Sequence, residues 1–391
     1  MNCRSHATIS MTAVLAPFAT ALGATQDVRT RDSSSVQIIE NSSLKDAPVR
    51  FRLGETPLFQ VGGVEVNPEE EFDHKQGWLA GARLSAGGLA VIDLTRVHYF
   101  DARGKRIRIV GRRGQGPGEF QTLTTICMTR GDTLILNDMS NRRVSVLDEH
   151  GRIVRTIAQA NYGDALIHSC FGDGSFLLQR RLGTARERQA AVVRLRTDGS
   201  VANMVGTFDV TGFDMVTQTI PRISAASDAV YYSNPYTSEI RVHDALGALR
   251  RIIRIADRGE RITQSLADER LGWTLPNNLT AAERTAMMDQ RRATPRIAQT
   301  WPVFYTLKVG SDGTLWVQDY DPKTFAPPDA WTAIDSTGRI IGRLIFPPRP
   351  GGRRPEVQDF GRDFVIVKQF NEDQAQSIAV FPLLRIDARK R

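Results

Sequence analysis

The chain has little cysteine, little histidine and no long apolar run past its first residues. Each shortage narrows what it can do. Three cysteines occur in 391 residues. Cys3 precedes the apolar stretch at 9–22, so it cannot be the lipid-bearing cysteine that follows a lipoprotein signal. Cys127 and Cys170 remain, and an oxidising compartment would permit a bridge between them. In the repeat described below they do not align and fall on opposite strand faces, so two buried thiols are expected. Of six histidines, five lie past residue 24: His74, His98, His150, His168 and His243. No two stand at metal-ligand spacing. His168 falls on an inner strand, but a lone histidine is ordinarily structural. No serine nucleophile elbow is present. An aromatic share of 7% speaks against RNA, which is read by stacking, and no nucleic-acid partner is expected. Past the first residues nothing is apolar enough for a transmembrane segment.

What is present begins with an export signal. Arg4 supplies a positive start, 9–22 is apolar and small, and Ala21 to Ala24 offers a cleavage site after Gly23 or Ala24. Residues 1–24 are expected to be a signal peptide, which places the protein in the periplasm or outside the cell. Residues 25–50 are polar and read as a flexible segment, mobile or wrapped on the surface. The net charge is +8. Of the 51 basic residues, 44 are arginine and seven are lysine. The excess could serve an acidic partner. The arginines are spread over the whole length, which favours a compositional bias over a defined site.

The fold follows from a repeat. Five short segments end in glycine at Gly104, Gly151, Gly199, Gly247 and Gly338. Four read Asp-x-x-Gly, and the third, Leu195 to Gly199, moves its Asp next to the Gly. An Asp side chain can accept from the backbone N–H two residues on, and the Gly takes positive φ without a Cβ clash. Apolar alternating runs flank each segment, so each is the tip of an antiparallel hairpin. The glycines recur every 47 or 48 residues, and the last interval is longer by about 43 residues. A period near 48 with four strands per repeat suits a propeller blade. A strand ending in a polar residue precedes each hairpin, at 89–93, 133–138, 175–179, 230–233 and 314–319. A sixth repeat at 357–384 supplies only three strands. Its missing strand is expected at 57–62, because Gly62 and Glu71-Phe72 resemble Gly111 and Glu119-Phe120. An N-terminal strand then closes the ring and protects its edges. The expected fold is all-β: a six-bladed β-propeller of four-stranded blades, a single domain over 51–391.

The segment Gly111-Arg-Arg-Gly-Gln-Gly-Pro-Gly-Glu-Phe120, followed by the strands at 133–148, resembles the NHL repeat. It is similar to secreted bacterial six-bladed propellers that carry a Gly-Pro-Gly-Glu-Phe segment. The likeness is close over the second blade, fair over the first, fourth and fifth, and poor over the third and sixth. It implies the fold and says little about activity. Gly114, Gly116 and Gly118 could cradle an anion through backbone N–H groups. The structural role weighs more: the glycines and Pro117 make a sharp turn, Phe120 plugs between blades, and Glu119 caps N–H groups. No Gly-Lys-Ser/Thr follows, so this is not a phosphate loop.

In propellers of this kind ligands favour the face bearing the d-to-a and b-to-c loops. Arg112, Arg113, Asn141 and Arg142 are the candidate ligand-binding residues there. A helical insertion is expected at 257–300, between blades four and five. Thr280 to Glu283 is a capping box, 281–292 reads as a helix, and 266–271 as a shorter one. It would serve as a lid, a docking arm or a packed decoration. The resemblance also allows calcium or zinc in the channel, with Asp93, Asp138 and Asp319 as carboxylates. Those residues read first as strand-end caps, and no catalytic residue is assigned. Trp301, Trp316 and Trp331 could stack on a sugar or peptide, but read as core. The expected function is a noncatalytic, monomeric binding scaffold for a protein, peptide or glycan. The alternative is a metal-dependent hydrolase or lyase with its site in the channel.

Overall fold

The structure is a computed structural model. It describes residues 28–63, 72, 79–158, 165–182, 189–209, 216–217, 219, 221–226, 228–293, 298–323, 329–347, 355–371 and 375–386. The expected signal peptide lies outside the described residues.

The N-terminal part supplies β1 (Arg29–Ser33), β2 (Val36–Asn41), β3 (Val49–Leu53) and β4 (Phe59–Gly62). Consecutive antiparallel sheets follow. The first holds β5 (Leu79–Arg83), β6 (Leu89–Asp93), β7 (Val97–Phe100) and β8 (Arg106–Val110). The second holds β9 (Leu123–Thr129), β10 (Thr133–Asp138), β11 (Arg143–Leu147) and β12 (Ile153–Ala158). The third holds β13 (Ala165–Cys170), β14 (Phe176–Arg181), β15 (Gln189–Leu195) and β16 (Val201–Asp209). The fourth set is β17 (Arg222–Ala226), β18 (Ala229–Ser233), β19 (Glu239–Asp244) and β20 (Leu249–Ile255). Helices α1 (Gln264–Trp273) and α2 (Ala281–Ala293) come next. They precede β21 (Phe304–Val309), β22 (Leu315–Asp319), β23 (Ala330–Ile334) and β24 (Ile340–Ile345). The chain ends in β25 (Glu356–Phe360), β26 (Phe364–Phe370) and β27 (Gln376–Arg385). As expected from the missing strand, β4 pairs with β27, Phe59 opposite Val380.

The hairpin tips form for the reason read from the sequence. Asp101 Oδ1 accepts from the N–H groups of Arg103 and Lys105, both at 2.9 Å. Asp148, Asp244 and Asp335 make the same pair of bonds two and four residues on. In the third sheet Asp198, next to its Gly, accepts from Ser200 N–H instead. The five glycines all have φ between +73° and +96°, where a Cβ would be strained.

The strands β5, β9, β13, β17, β21 and β25 are neighbours in that order, and β25 neighbours β5 again. Hydrophobic cores lie between successive sheets. Ile135 and Val144 of the second meet Phe176 and Leu178 of the third. Val61 and Ile378 meet Leu79 and Val91 across the junction of last and first. Trp316 and Trp331 are buried between β21–β24 and β25–β27, and Trp316 stacks on Phe360 at 4.3 Å. Trp301 is buried beneath α1. All three are core residues.

Two differences from the sequence reading stand out. Residues 28–53 carry strands: β2 adds parallel to the outer edge of β20, and β3 lies between β24 and β27. β3 does carry an alternating signal, Val49, Phe51 and Leu53 between Arg50 and Arg52, which the polar reading of 25–50 cut across; β2 buries Ile38 and Ile39 without alternation. Second, the expectation of two separate thiols is overturned. Cys127 and Cys170 form a disulfide, with their Cα atoms 5.9 Å apart. Adjacent sheets turn the front of one to the back of the next. Residues on opposite faces of the repeat are therefore the ones that meet across a seam. Cys127 packs with Ile135 and Cys170 with Phe176 in one shared core.

Candidate functional site

The loop end of the second sheet holds the residues singled out from the sequence, and most of them act on one another. Glu119 Oε2 accepts from Gly116 N–H at 2.8 Å, and Oε1 receives the Arg112 guanidinium at 2.8 Å. The Gly116 N–H and the Arg112 guanidinium hold this carboxyl below its ordinary range. Phe120 is fully buried, packed between Ile92 and Val97 of the first sheet and Leu123 and Leu134 of the second. A Cβ on Gly111 would sit 2.5 Å from the Phe120 ring, and one on Gly62 would sit 2.4 Å from Phe72. The likeness of the two segments is thus a shared geometry, an aromatic ring laid on a positive-φ glycine.

Asn141 is spent within the loop: its Nδ2 donates to Gly114 O at 2.9 Å and to Asp138 Oδ2 at 2.7 Å. Arg143 is the residue the sequence reading missed. Its guanidinium donates to the carbonyls of Gln115 and Gly116, each at 3.0 Å, and of Glu119. Strand alternation in β11, which points Arg143 away from buried Val144, was the available signal. Arg112, Arg113 and Arg142 keep exposed side chains, and Arg142 sits at φ +50° in a tight turn.

The strand-end carboxylates accept from groups close to their own strands. Asp93 accepts from Arg96 N–H at 3.0 Å and from the Arg96 guanidinium and His98. Asp138 accepts from Gln121 and Thr122 N–H at 3.1 and 3.0 Å. Asp319 instead pairs with the Arg343 guanidinium, and burial pushes its carboxyl up to about 6. Among the described residues no cluster of three or more His, Cys, Asp or Glu could hold a metal. His168 lies on β13.

The two helices follow their caps. Thr263 accepts from Leu266 N–H at 3.4 Å, and Thr280 and Glu283 form a reciprocal box. α1 is anchored: Ala267, Arg270 and Leu271 are buried. Arg270 donates to Val216 O at 3.2 Å and to the Tyr320 hydroxyl at 3.1 Å, beneath the rings of Trp273 and Trp301. α2 buries no residue and is tied back through Arg291 to the carbonyls of Leu271 and Thr274. α1 is therefore packed on the sheets, whereas α2 is mostly exposed and touches the same cluster through Met288.

The inner strands line an open cavity of about 350 Å³ at the end opposite these loops, where each strand meets its next turn. Ile126, Met128 and the Cys127–Cys170 bridge give one wall an apolar stretch, and Arg83 and Arg130 also line the cavity. The other carries Lys308 of β21 and Asp359 of β25. Burial lowers the Lys308 ammonium from its ordinary value, with Asp359 opposing and Arg222 adding to the shift. Burial pushes the Asp359 carboxyl up to about 7, against the pull of Lys308. Neither residue lies in a motif, so nothing in the sequence flagged them.

No protein-family model matches the chain, and no curated protein matches it. Solved structures do. A candidate exported protein from Bacteroides fragilis is 12% identical, with a TM-score of 0.52 over 90% of this chain and 100% of that one. A member of the DUF4221 family from Bacteroides vulgatus is 12% identical, with a TM-score of 0.49 over 86% and 99%. Virginiamycin B lyase from Staphylococcus aureus is 11% identical, with a TM-score of 0.43 over 86% and 96%. The chain has a β-propeller fold. At such identities the likeness shows the fold alone, and a propeller hosts many unrelated activities. Among the described residues of this propeller no helix is long and apolar enough to cross a membrane.

Proposed function

We propose that the chain is an exported, six-bladed, NHL-like β-propeller acting as a monomeric binding scaffold in the periplasm or outside the cell. In this reading 1–24 is the signal peptide, 51–391 the propeller, and 257–300 an insertion between blades four and five. The partner is a protein, peptide or glycan docking on the face of the d-to-a and b-to-c loops. One observation carries this: Arg112, Arg113 and Arg142 are exposed on loops that Arg143, Asp138 and Asn141 hold internally. Groups fixed before binding lose little freedom on binding. Guanidinium groups match carboxylates and other planar anions, so an acidic partner is favoured within that class. The solvent-exposed α2 belongs to the same end of the strands and extends the surface.

The alternative, a metal-dependent hydrolase or lyase, has no donor cluster among the described residues to carry it. The test is a screen of the mature protein against glycan and extracellular-protein arrays, with hits measured by calorimetry. A variant with Arg112→Ala, Arg113→Ala and Arg142→Ala should lose about tenfold or more in affinity. Full affinity in that variant, or turnover of lactones, peptides or glycans by the wild type, defeats the reading.

A further inference from the structure

The channel holds more positive charge than its own carboxylates answer. β17 contributes Arg222, β21 contributes Lys308, and β25 contributes Glu356 and Asp359. Glu356 is already engaged, 2.8 Å from Lys368 of β26. Asp359, and more weakly Glu356, favour the charge on Lys308. Arg222 Nε is buried and has no hydrogen-bond partner. Neither Arg222 nor Lys308 forms an ion pair among the described residues. The two cations also work against each other, since Arg222 disfavours the charge on Lys308. Asp359 can supply at most one negative charge, and Asp312 opposes even that one. Cations withdrawn from water without a full set of partners are costly, and a bound anion removes that cost.

Space is available beside Lys308. Lys308 borders the cavity of about 350 Å³, within the size of small-molecule sites. The strands leave it open because they place Gly81, Ala82, Ser224, Ala226 and Gly310 on its wall. Ser224, Ser311 and Gln358 also line it and supply neutral polar groups. The facing wall of Ile126, Met128 and the disulfide is unsuited to a fully hydrated ion. It suits the carbon body of an organic acid.

We propose that this cavity binds a small organic anion, with its carboxylate or phosphate group on Lys308 and its apolar body against Ile126, Met128 and the Cys127–Cys170 bridge. The site lies at the opposite end of the channel from the loop face and does not depend on the docking reading.

The experiment is calorimetric titration of the mature protein with benzoate, phenyl phosphate, inorganic phosphate and neutral benzamide. Both aromatic anions should bind more tightly than inorganic phosphate, and benzamide should give no heat. The benzoate and phenyl phosphate arms show whether a carboxylate or a phosphate is preferred. Lys308→Met should weaken the aromatic anions about tenfold or more. Ala226→Leu, which fills the cavity and leaves every charge in place, should do the same. Arg196→Ala, outside the cavity, should bind as wild type. Near-UV circular dichroism establishes that each variant is folded. Absence of heat from all anions at millimolar concentration overturns the proposal, as does unchanged binding in both Lys308→Met and Ala226→Leu.

Discussion

Two seams of the ring solve one problem by different means. Between β9–β12 and β13–β16 the shared core is aliphatic apart from Phe176, and the Cys127–Cys170 bridge crosses it. Between β21–β24 and β25–β27 there is no bridge. Phe51, Trp316, Trp331, Phe346, Phe360 and Phe381 fill the space instead. Each aromatic side chain buries roughly 150–250 Å², so that seam is held by area. The bridged seam has less area and relies on a covalent link that needs only correct register. β3 strengthens the contrast, because it adds backbone pairing to the aromatic seam from both sides.

The comparison can be broken most directly at Trp316, which is 1% exposed. Trp316→Ala should cost about 3–5 kcal/mol, read from urea unfolding followed by near-UV circular dichroism. A loss under about 1 kcal/mol would mean that area does not hold this seam. The bridged seam should respond less. Joint replacement Cys127→Ala and Cys170→Ala should cost about 2–4 kcal/mol, since the bridge closes a sequence separation of 43 residues in the unfolded chain. If the urea midpoint does not move on replacement or on reduction, the bridge adds nothing to the aliphatic packing.

The smallest effect separates the seams by pH. Asp359 adjoins Phe360 of the aromatic seam, stands near Lys308 on the same cavity wall and near Asp312 from the turn after β21, and titrates at about 7. An unfolded aspartate titrates near about 4. The folded chain therefore retains a proton that the unfolded chain has released. Stability from this group is present below about 4 and is lost as pH rises through about 7. Asp359→Asn removes that slope, so its Tm should gain on wild type by a few degrees between pH 4 and pH 8. Parallel Tm curves for the two proteins would refute the shift.

What the sequence disclosed was whatever repeats. The turn aspartates at 101, 148, 244 and 335 recur with their glycines because one hydrogen-bond pattern builds every tip. The pairing of β4 with β27 was legible because Gly62 and Phe72 copy Gly111 and Phe120. The strands at 29–41 were not, since β1 and β2 add at the outer edge of β20 and show no alternation, while the alternation of β3, VRFRL, was split by the boundary drawn at residue 50. The bridge was misread for a geometric reason, the front-to-back meeting of successive sheets. The candidate site divided in the same way. Arg112 and Glu119 stand in a recognisable segment and proved to bind each other, so being in a motif here meant having a partner. Lys308, Arg222 and Asp359 are single inward positions on separate strands. The succession of β17, β21 and β25 around the ring brings them together.

Closure of the ring also sets an order of events. Phe59 pairs with Val380, so the first strand of the last sheet to be synthesised waits for more than three hundred further residues before its partner exists. Contacts between such distant positions slow folding. A chain emerging N-terminus first exposes β4 with an unsatisfied edge, and a cleft persists between first and last sheets until the final strand arrives. The completed ring is thus a checkpoint on full-length synthesis: a product that stops short of Gln376 has nothing for β4 to hold.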